Sequence, residues 1–315
     1  MMDKTTVRYI LVIGLVIILL IGATLLYFML LPSKKTTEKV NTTENVLTVT
    51  DDYNRNITFN KTPERLISLA PSVTEILYFI GVFQNLVGVD NNSDYPEQAK
   101  NITKVAGFGW INYELITSLK PDLIIAADIN KAQIPDLESR GYKVVVFAPK
   151  TVYGMLDNLL LAGKIMDKED YSKNVVHQLK NRIVNVTKKA SNITSKPKIY
   201  IEFDTHEGYW TFGPGSFGDS LITLAGGINI AGNESQPYVA LQSETVILAN
   251  PDIIIYTTNP WITTTKDTIK NRTGWNNINA VKNDKIYSIE DNLVSRPGPR
   301  LVDGLEEINR IIVGQ

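Results

Sequence analysis

The stretch TVYGMLDNLLLAGKIMDKEDYSKNVVHQLKNRIVNVTKKASNITS, residues 151–195, carries two consecutive helical patterns with no strand signal between them. In the first, Val152, Met155, Leu156, Leu159 and Leu160 recur at helical spacing, and Ala162, Ile165 and Met166 extend the stripe. Asp167 and Asp170 offer the second helix an N-cap and an acidic first turn. Val175, Val176, Leu179, Ile183 and Val186 then fall on one of its faces. Outward from this spacer the sequence comes in pairs. On one side stands Glu114, six residues, then Pro121-Asp122-Leu123-Ile124-Ile125; on the other stands Glu244, again six residues, then Pro251-Asp252-Ile253-Ile254-Ile255. Strand and helix patterns alternate on both sides, which predicts mainly parallel sheets covered on both faces. The expected fold class is therefore α/β, with two similar lobes over residues 46–150 and 196–315 joined through the helical spacer at 151–195.

At 315 residues the chain is long enough for two such lobes. A net charge of -1 without a basic block gives no nucleic-acid footprint. With no cysteine, disulfides, thiolate metal sites, cysteine nucleophiles and a lipobox anchor are all excluded.

Residues 9–31 carry no charge over more than 20 positions, enough to cross a hydrocarbon core of about 30 Å. The run is longer than a signal-peptide core and no small-residue cleavage site follows it. The expectation is an uncleaved membrane anchor over residues 1–32, with contact to the membrane through 9–31, and a polar flexible stalk at 33–45. Nine Asn-x-Ser/Thr sequons lie beyond it, starting at Asn41, Asn56, Asn60, Asn91, Asn101, Asn185, Asn192, Asn233 and Asn271, where composition alone gives roughly four. Their excess places the large C-terminal part outside the cell as a glycosylated domain of a single-pass cell-membrane protein.

Catalytic motifs are weak. Gly213, Gly215 and Gly218 match G-x-G-x-x-G in form, but Pro214 removes a backbone donor and a long loop separates them from the preceding strand. Loop shaping before a Ser216-capped helix explains them better. Histidine occurs at 177 and 206 alone. His206, between Asp204 and Glu207, is a candidate contact to a ligand's metal, yet one histidine beside acids is a poor metal signature, and no resident metal is assigned. The aromatics say more. Tyr95, Phe108, Trp110, Trp210, Phe212, Tyr238 and Trp261 all fall in predicted loops, most at strand ends, where α/β sheets bind ligands. Rigid planar groups there point to a sizeable, flat ligand between the lobes.

The segment Arg65-Leu66-Ile67-Ser68-Leu69-Ala70-Pro71-Ser72-Val73-Thr74-Glu75 resembles the opening of the helical-backbone substrate-binding proteins of metal-chelate ABC importers, those for vitamin B12, ferric siderophores and haem. The resemblance continues through Val87-Gly88-Val89-Asp90, Ser93-Asp94-Tyr95-Pro96, Gly226-Gly227-Ile228-Asn229 and Arg296-Pro297-Gly298-Pro299-Arg300-Leu301-Val302-Asp303, and covers residues 46–312. It implies that one long rigid helix, here residues 170–189, bridges the lobes. It also implies that Glu114 and Glu244 dock onto a dimeric permease with its ATPase subunits. Ser-Asp-Tyr-Pro is similar to the cobalamin binders, where the tyrosine, here Tyr95, lies against the corrin; Trp110 matches a tryptophan of the same loop. Arg296 and Arg300 either contact an anionic chelate or brace the last helix. The resulting expectation is a non-enzymatic binding protein with no cofactor of its own. It captures cobalamin or a related corrinoid for an importer, with a ferric siderophore or haem as the alternative cargo and a surface enzyme as the alternative of another class.

Overall fold

The computed structural model describes residues 46–314, together with 3, 5, 8–9, 13–17 and 19–23. The chain divides into two compact units, Met1–Thr43 and Glu44–Gln315. In the first, the membrane-spanning helix and single-pass topology expected over 9–31 are corrected. No helix of the described residues is long and apolar enough to cross a membrane. The rest of that apolar run and the expected stalk lie outside the described residues.

The second unit begins with a hairpin, β1 (Leu47–Thr50) and β2 (Asn56–Phe59). The first lobe then alternates β3 (Leu66–Ser68), α1 (Pro71–Phe79), β4 (Leu86–Asp90), β5 (Lys104–Gly107), β6 (Trp110–Ile111), α2 (Tyr113–Leu119), β7 (Leu123–Ala127), α3 (Ile134–Ser139) and β8 (Val144–Phe147). Its sheet has the order β6-β5-β4-β3-β7-β8 and is parallel except for the β6 edge. Every residue of β7 and β8 is buried, which is why both strands read as unbroken apolar runs: helices cover both faces. Helix α1 starts at Pro71, with Ala70 in the cap position and no side-chain cap. Proline at N1 lacks the N–H that a cap would satisfy.

The spacer is α4 (Val152–Ile165), capped by the Thr151 side chain, and α5 (Glu169–Ser191). A Cβ on Gly163 would stand 2.0 Å from Ser172 Oγ, so glycine is what lets the two helices cross so closely. Asp167 does not cap α5. It takes φ 52°, turning the chain back on itself, and Lys168 holds the cap position. At 23 residues, α5 is about 34 Å long. Near its start Tyr171 lies against Gly81 of the first lobe, and near its end Ala190 lies against Gly226 of the second.

The second lobe runs β9 (Lys198–Glu202), β10 (Tyr209–Phe212), α6 (Phe217–Leu224), β11 (Ile228–Asn229), β12 (Tyr238–Leu241), α7 (Ser243–Ala249), β13 (Ile253–Thr258), α8 (Lys266–Lys270), α9 (Asn279–Lys282), β14 (Ile286–Glu290) and α10 (Asn292–Ser295). Its sheet, β11-β9-β13-β14, is parallel throughout. Beside it β10 and β12 form an antiparallel ribbon where the sequence predicts only loop. The last helix, α11 (Leu301–Val313), buries Leu301, Leu305, Ile308 and Ile311 and returns to α5. There Arg182 pairs with Asp303 at 2.5 Å and Glu306 at 2.6 Å. These carboxylates hold its guanidinium charged against the cost of partial burial.

Candidate ligand-binding site

The duplicated Glu/Pro-Asp pattern has one geometry in both lobes. Glu114 sits in the first turn of α2, and Glu244 in the first turn of α7. Each helix has seven residues and closes on a left-handed residue, Lys120 at φ 48° and Asn250 at φ 49°. The Pro-Asp that follows returns the chain to the sheet. Asp122 accepts the backbone N–H groups of Glu64 and Arg65 at 2.9 Å ahead of β3, and Asp252 accepts that of Lys198 at 2.9 Å at the start of β9. Both glutamates are exposed, and among the described residues neither makes a hydrogen bond or ion pair. An acid in a first helical turn is favoured by the helix dipole in any case; two in equivalent places, facing solvent, form a matched pair of charges.

The aromatics divide into three groups. Phe108, 80% exposed, lies in the turn between β5 and β6, and Trp110, 45% exposed, opens β6. The Trp110 indole lies across Gly107, where a Cβ would come within 2.4 Å of Nε1. In the second lobe Trp261, 88% exposed, follows β13. Trp210 lies on β10 and donates its Nε1–H to the carbonyl of His206 at 2.8 Å, which ties the loop after β9 to the ribbon. The third group is a cluster: Phe203, Phe212 and Phe217 pack behind Tyr238 with centroids 4.8 to 6.3 Å apart. Phe212 is 1% exposed, so it supports Tyr238 from behind instead of standing in a loop. Burial, and then the charge of Asp128 from the other lobe, push the Tyr238 hydroxyl up to about 12. Asp128 itself is partly buried, but the Tyr53 hydroxyl at 2.6 Å and Lys150 hold its carboxyl below the usual range.

His206 extends into solvent, its Nε2 4.0 Å from Glu207. No group of three or more His, Asp or Glu among the described residues could hold a metal ion.

The Arg-Pro-Gly-Pro-Arg segment reaches across to the first lobe. Arg296 Nη1 lies 2.5 Å from Asp94 and 4.0 Å from Glu75; Arg300 Nη2 lies 2.6 Å from Glu75, and Nη1 3.6 Å from Glu290. Between them Gly298 passes so close to α1 that a Cβ would stand 2.9 Å from Glu75 Oε2. The Arg300 guanidinium also covers the Tyr95 ring at 4.2 Å, while Tyr78 and Phe79 pack near the same ring. Tyr95 thus has one face occupied, and both arginines are engaged by carboxylates. Sequence reading missed Glu75, because one acid in an apolar helix looks like a surface residue. It is 1% exposed, and burial pushes its carboxyl up against the pull of Arg300.

A sequence profile of the periplasmic binding protein family matches residues 66–293. The chain is 29% identical over 269 residues to an uncharacterised ABC transporter substrate-binding lipoprotein of Bacillus subtilis, covering 83% of this chain and 84% of that one. It is 31% identical over 252 residues to a vitamin B12-binding protein of Vibrio cholerae, covering 78% and 87%. The crystal structure of a periplasmic vitamin B12 binding protein of Vibrio cholerae superposes with a TM-score of 0.70 at 27% identity, covering 80% of this chain and 97% of that one. Two α/β lobes joined by a long helix, with such matches, define the class: the chain belongs to the periplasmic binding protein family, among the helical-backbone binding proteins of ABC transporters. Within that class it is closely related to the vitamin B12-binding proteins. Membership makes it a non-enzymatic transport protein, which displaces the surface-enzyme alternative.

Proposed function

We propose that this protein captures cobalamin or a related corrinoid and delivers it to an ABC importer. The observation that carries the reading is the likeness to vitamin B12-binding proteins over most of their length. A corrin is a large flat macrocycle, and the exposed Phe108 and Trp110 of the first lobe and Tyr238 and Trp261 of the second offer planar apolar surface at the strand ends. Tyr95, Trp210 and His206 complete the proposed set, and Phe212 backs it. Arg296 and Arg300 act as braces between the lobes; their engagement with Glu75, Asp94 and Glu290 leaves less positive charge for the anionic siderophore or haem of the alternative reading. Glu114 and Glu244 are the docking acids for the permease dimer. Two separated charges fix orientation and steer encounter even where each pair contributes little alone. No covalent step is needed: the cargo is bound, presented, and released by work done in the ATPase subunits.

The test takes one aromatic from each lobe. Trp110→Ala and Trp261→Ala each weaken corrinoid binding by about tenfold, the scale of a lost aromatic contact; Trp261→Ala, at a position 88% exposed, does so without changing thermal stability. Full affinity in either variant removes that lobe's aromatic surface from the site.

A further inference from the structure

Helix α7 presents two unlike side chains to solvent on one face. Glu244 and Leu248 stand four residues apart, about 40° around the helix, while the buried Val246 between them points about 160° away from Leu248. Both ends of the helix are held. Ser243 accepts the Nε1–H of the buried Trp275 at 2.8 Å, and the Asn250 side chain accepts the Asn279 backbone N–H at 2.8 Å. Leu248 is 84% exposed, and among the large apolar side chains of the described residues Trp261 alone stands further out. An isolated exposed leucine is ordinary. This one lies one turn from an acid assigned to docking, on a helix whose buried Val246 and anchored ends keep that face outward.

The first lobe supplies a comparison. The shift of 130 positions that matches Glu114 to Glu244 also matches the buried Ile116 to Val246, and Thr117-Ser118 to Ile247-Leu248. Ser118 is exposed, and its hydroxyl donates to the Leu115 carbonyl of its own helix at 2.7 Å. The two helices agree in their acid and in their buried anchor, but the turn after the acid is polar in the first lobe and apolar in the second.

We infer that Leu248 is an apolar anchor of the docking surface, seated in an apolar pocket of the permease beside the cationic side chain that meets Glu244. The inference rests on the proposed docking role of Glu244. An ion pair between exposed side chains steers and orients but contributes little, because water and salt screen it. A leucine buried beside it takes apolar surface out of water, which adds affinity that salt does not screen, and it keeps water from the pair. A purely charged partner surface would leave Leu248 in water and gain nothing from it. With Ser118 in the matching place of the first lobe, the second lobe makes the tighter of the two contacts.

The probe is the importer's permease–ATPase complex reconstituted in phospholipid vesicles, its ATPase stimulation titrated against the full-length protein and its Leu248→Gln, Leu248→Met and Glu244→Ala variants. Glutamine and methionine are good helix formers of similar length to leucine, and the side chain is exposed, so folding is spared. Leu248→Gln raises the concentration needed for half-maximal stimulation about tenfold. Leu248→Met stays near the wild-type value, and the affinity for cyanocobalamin is unchanged in both. Added salt shrinks the effect of Glu244→Ala and leaves that of Leu248→Gln in place. Wild-type stimulation by Leu248→Gln, with Glu244→Ala impaired, overturns the anchor and leaves the docking acids standing. An effect of Leu248→Gln that fades with salt, or that comes with weakened cyanocobalamin binding, also overturns it. If neither Leu248→Gln nor Glu244→Ala alters stimulation, the anchor and the docking reading fall together.

Discussion

Arg300→Met removes the closest countercharge of Glu75 while keeping most of the bulk stacked over Tyr95. At 2.6 Å and an effective dielectric constant near 20, the lost attraction is about 6 kcal/mol gross. Arg296, at 4.0 Å and shared with Asp94, compensates only in part. The carboxyl has one escape, which is to take up a proton, and that caps the penalty. From an ordinary value of 4.5, protonation at about pH 7 costs about 3.4 kcal/mol, and at about pH 5 only about 0.7. Burial already lifts this carboxyl in the wild type, so part of that cost is present before the substitution. The expected loss is about 2–3 kcal/mol at neutral pH. The sign follows from linkage. A carboxyl whose folded-state pKa is raised holds its proton longer in the folded chain, so stability is greatest below its unfolded pKa and declines as pH rises through the folded one. The variant therefore loses more than the wild type between about pH 5 and 7. Urea melts at both pH values measure this, with Glu75→Gln/Arg300→Met as the partner that removes the stranded charge and recovers most of the loss. A loss below about 1 kcal/mol at neutral pH, or one undiminished at about pH 5, would refute the assignment of a buried carboxylate held by Arg300.

Glu114→Ala and Glu244→Ala each reduce importer stimulation severalfold, and the double variant by about the product, since single exposed ion pairs contribute about 0–1 kcal/mol; ligand affinity, read by titration of the same proteins, stays at the wild-type value. Loss of ligand binding in either single variant contradicts a docking role. Gly218→Ala places a methyl 2.1 Å from the Phe212 ring, which is walled in by Phe203, Phe217 and Tyr238; overpacking there costs about 1–3 kcal/mol. A melting temperature unchanged by that variant would show the cluster to be looser than its geometry.

The bridging helix was legible because α5 repeats apolar residues at one period from Val175 to Val186, and the lobes because β7 and β13 each open on an apolar run introduced by Pro-Asp. The Glu114 and Glu244 pairing could be read as a shift of 130 positions and recurs as one cap geometry. Other features were hidden for physical reasons. Tyr209-Trp210-Thr211-Phe212 is a short ribbon strand whose pairing with β12 is set by tertiary contact, so loop and strand look alike in so short a segment. Glu75 and Arg300 meet across 225 positions, and no local periodicity records that distance. The apolar run at residues 9–31 met the length requirement for a span by composition alone. No helix of the described residues there is long and apolar enough to cross a membrane.

The most direct measurement is a spectroscopic titration of the purified protein with cyanocobalamin, set against a ferric hydroxamate and haem under the same conditions. The account predicts saturable cyanocobalamin binding that weakens in Tyr95→Ala, with little binding of the two iron chelates. Tight uptake of a ferric chelate or haem, with no change in the cyanocobalamin spectrum, would contradict it.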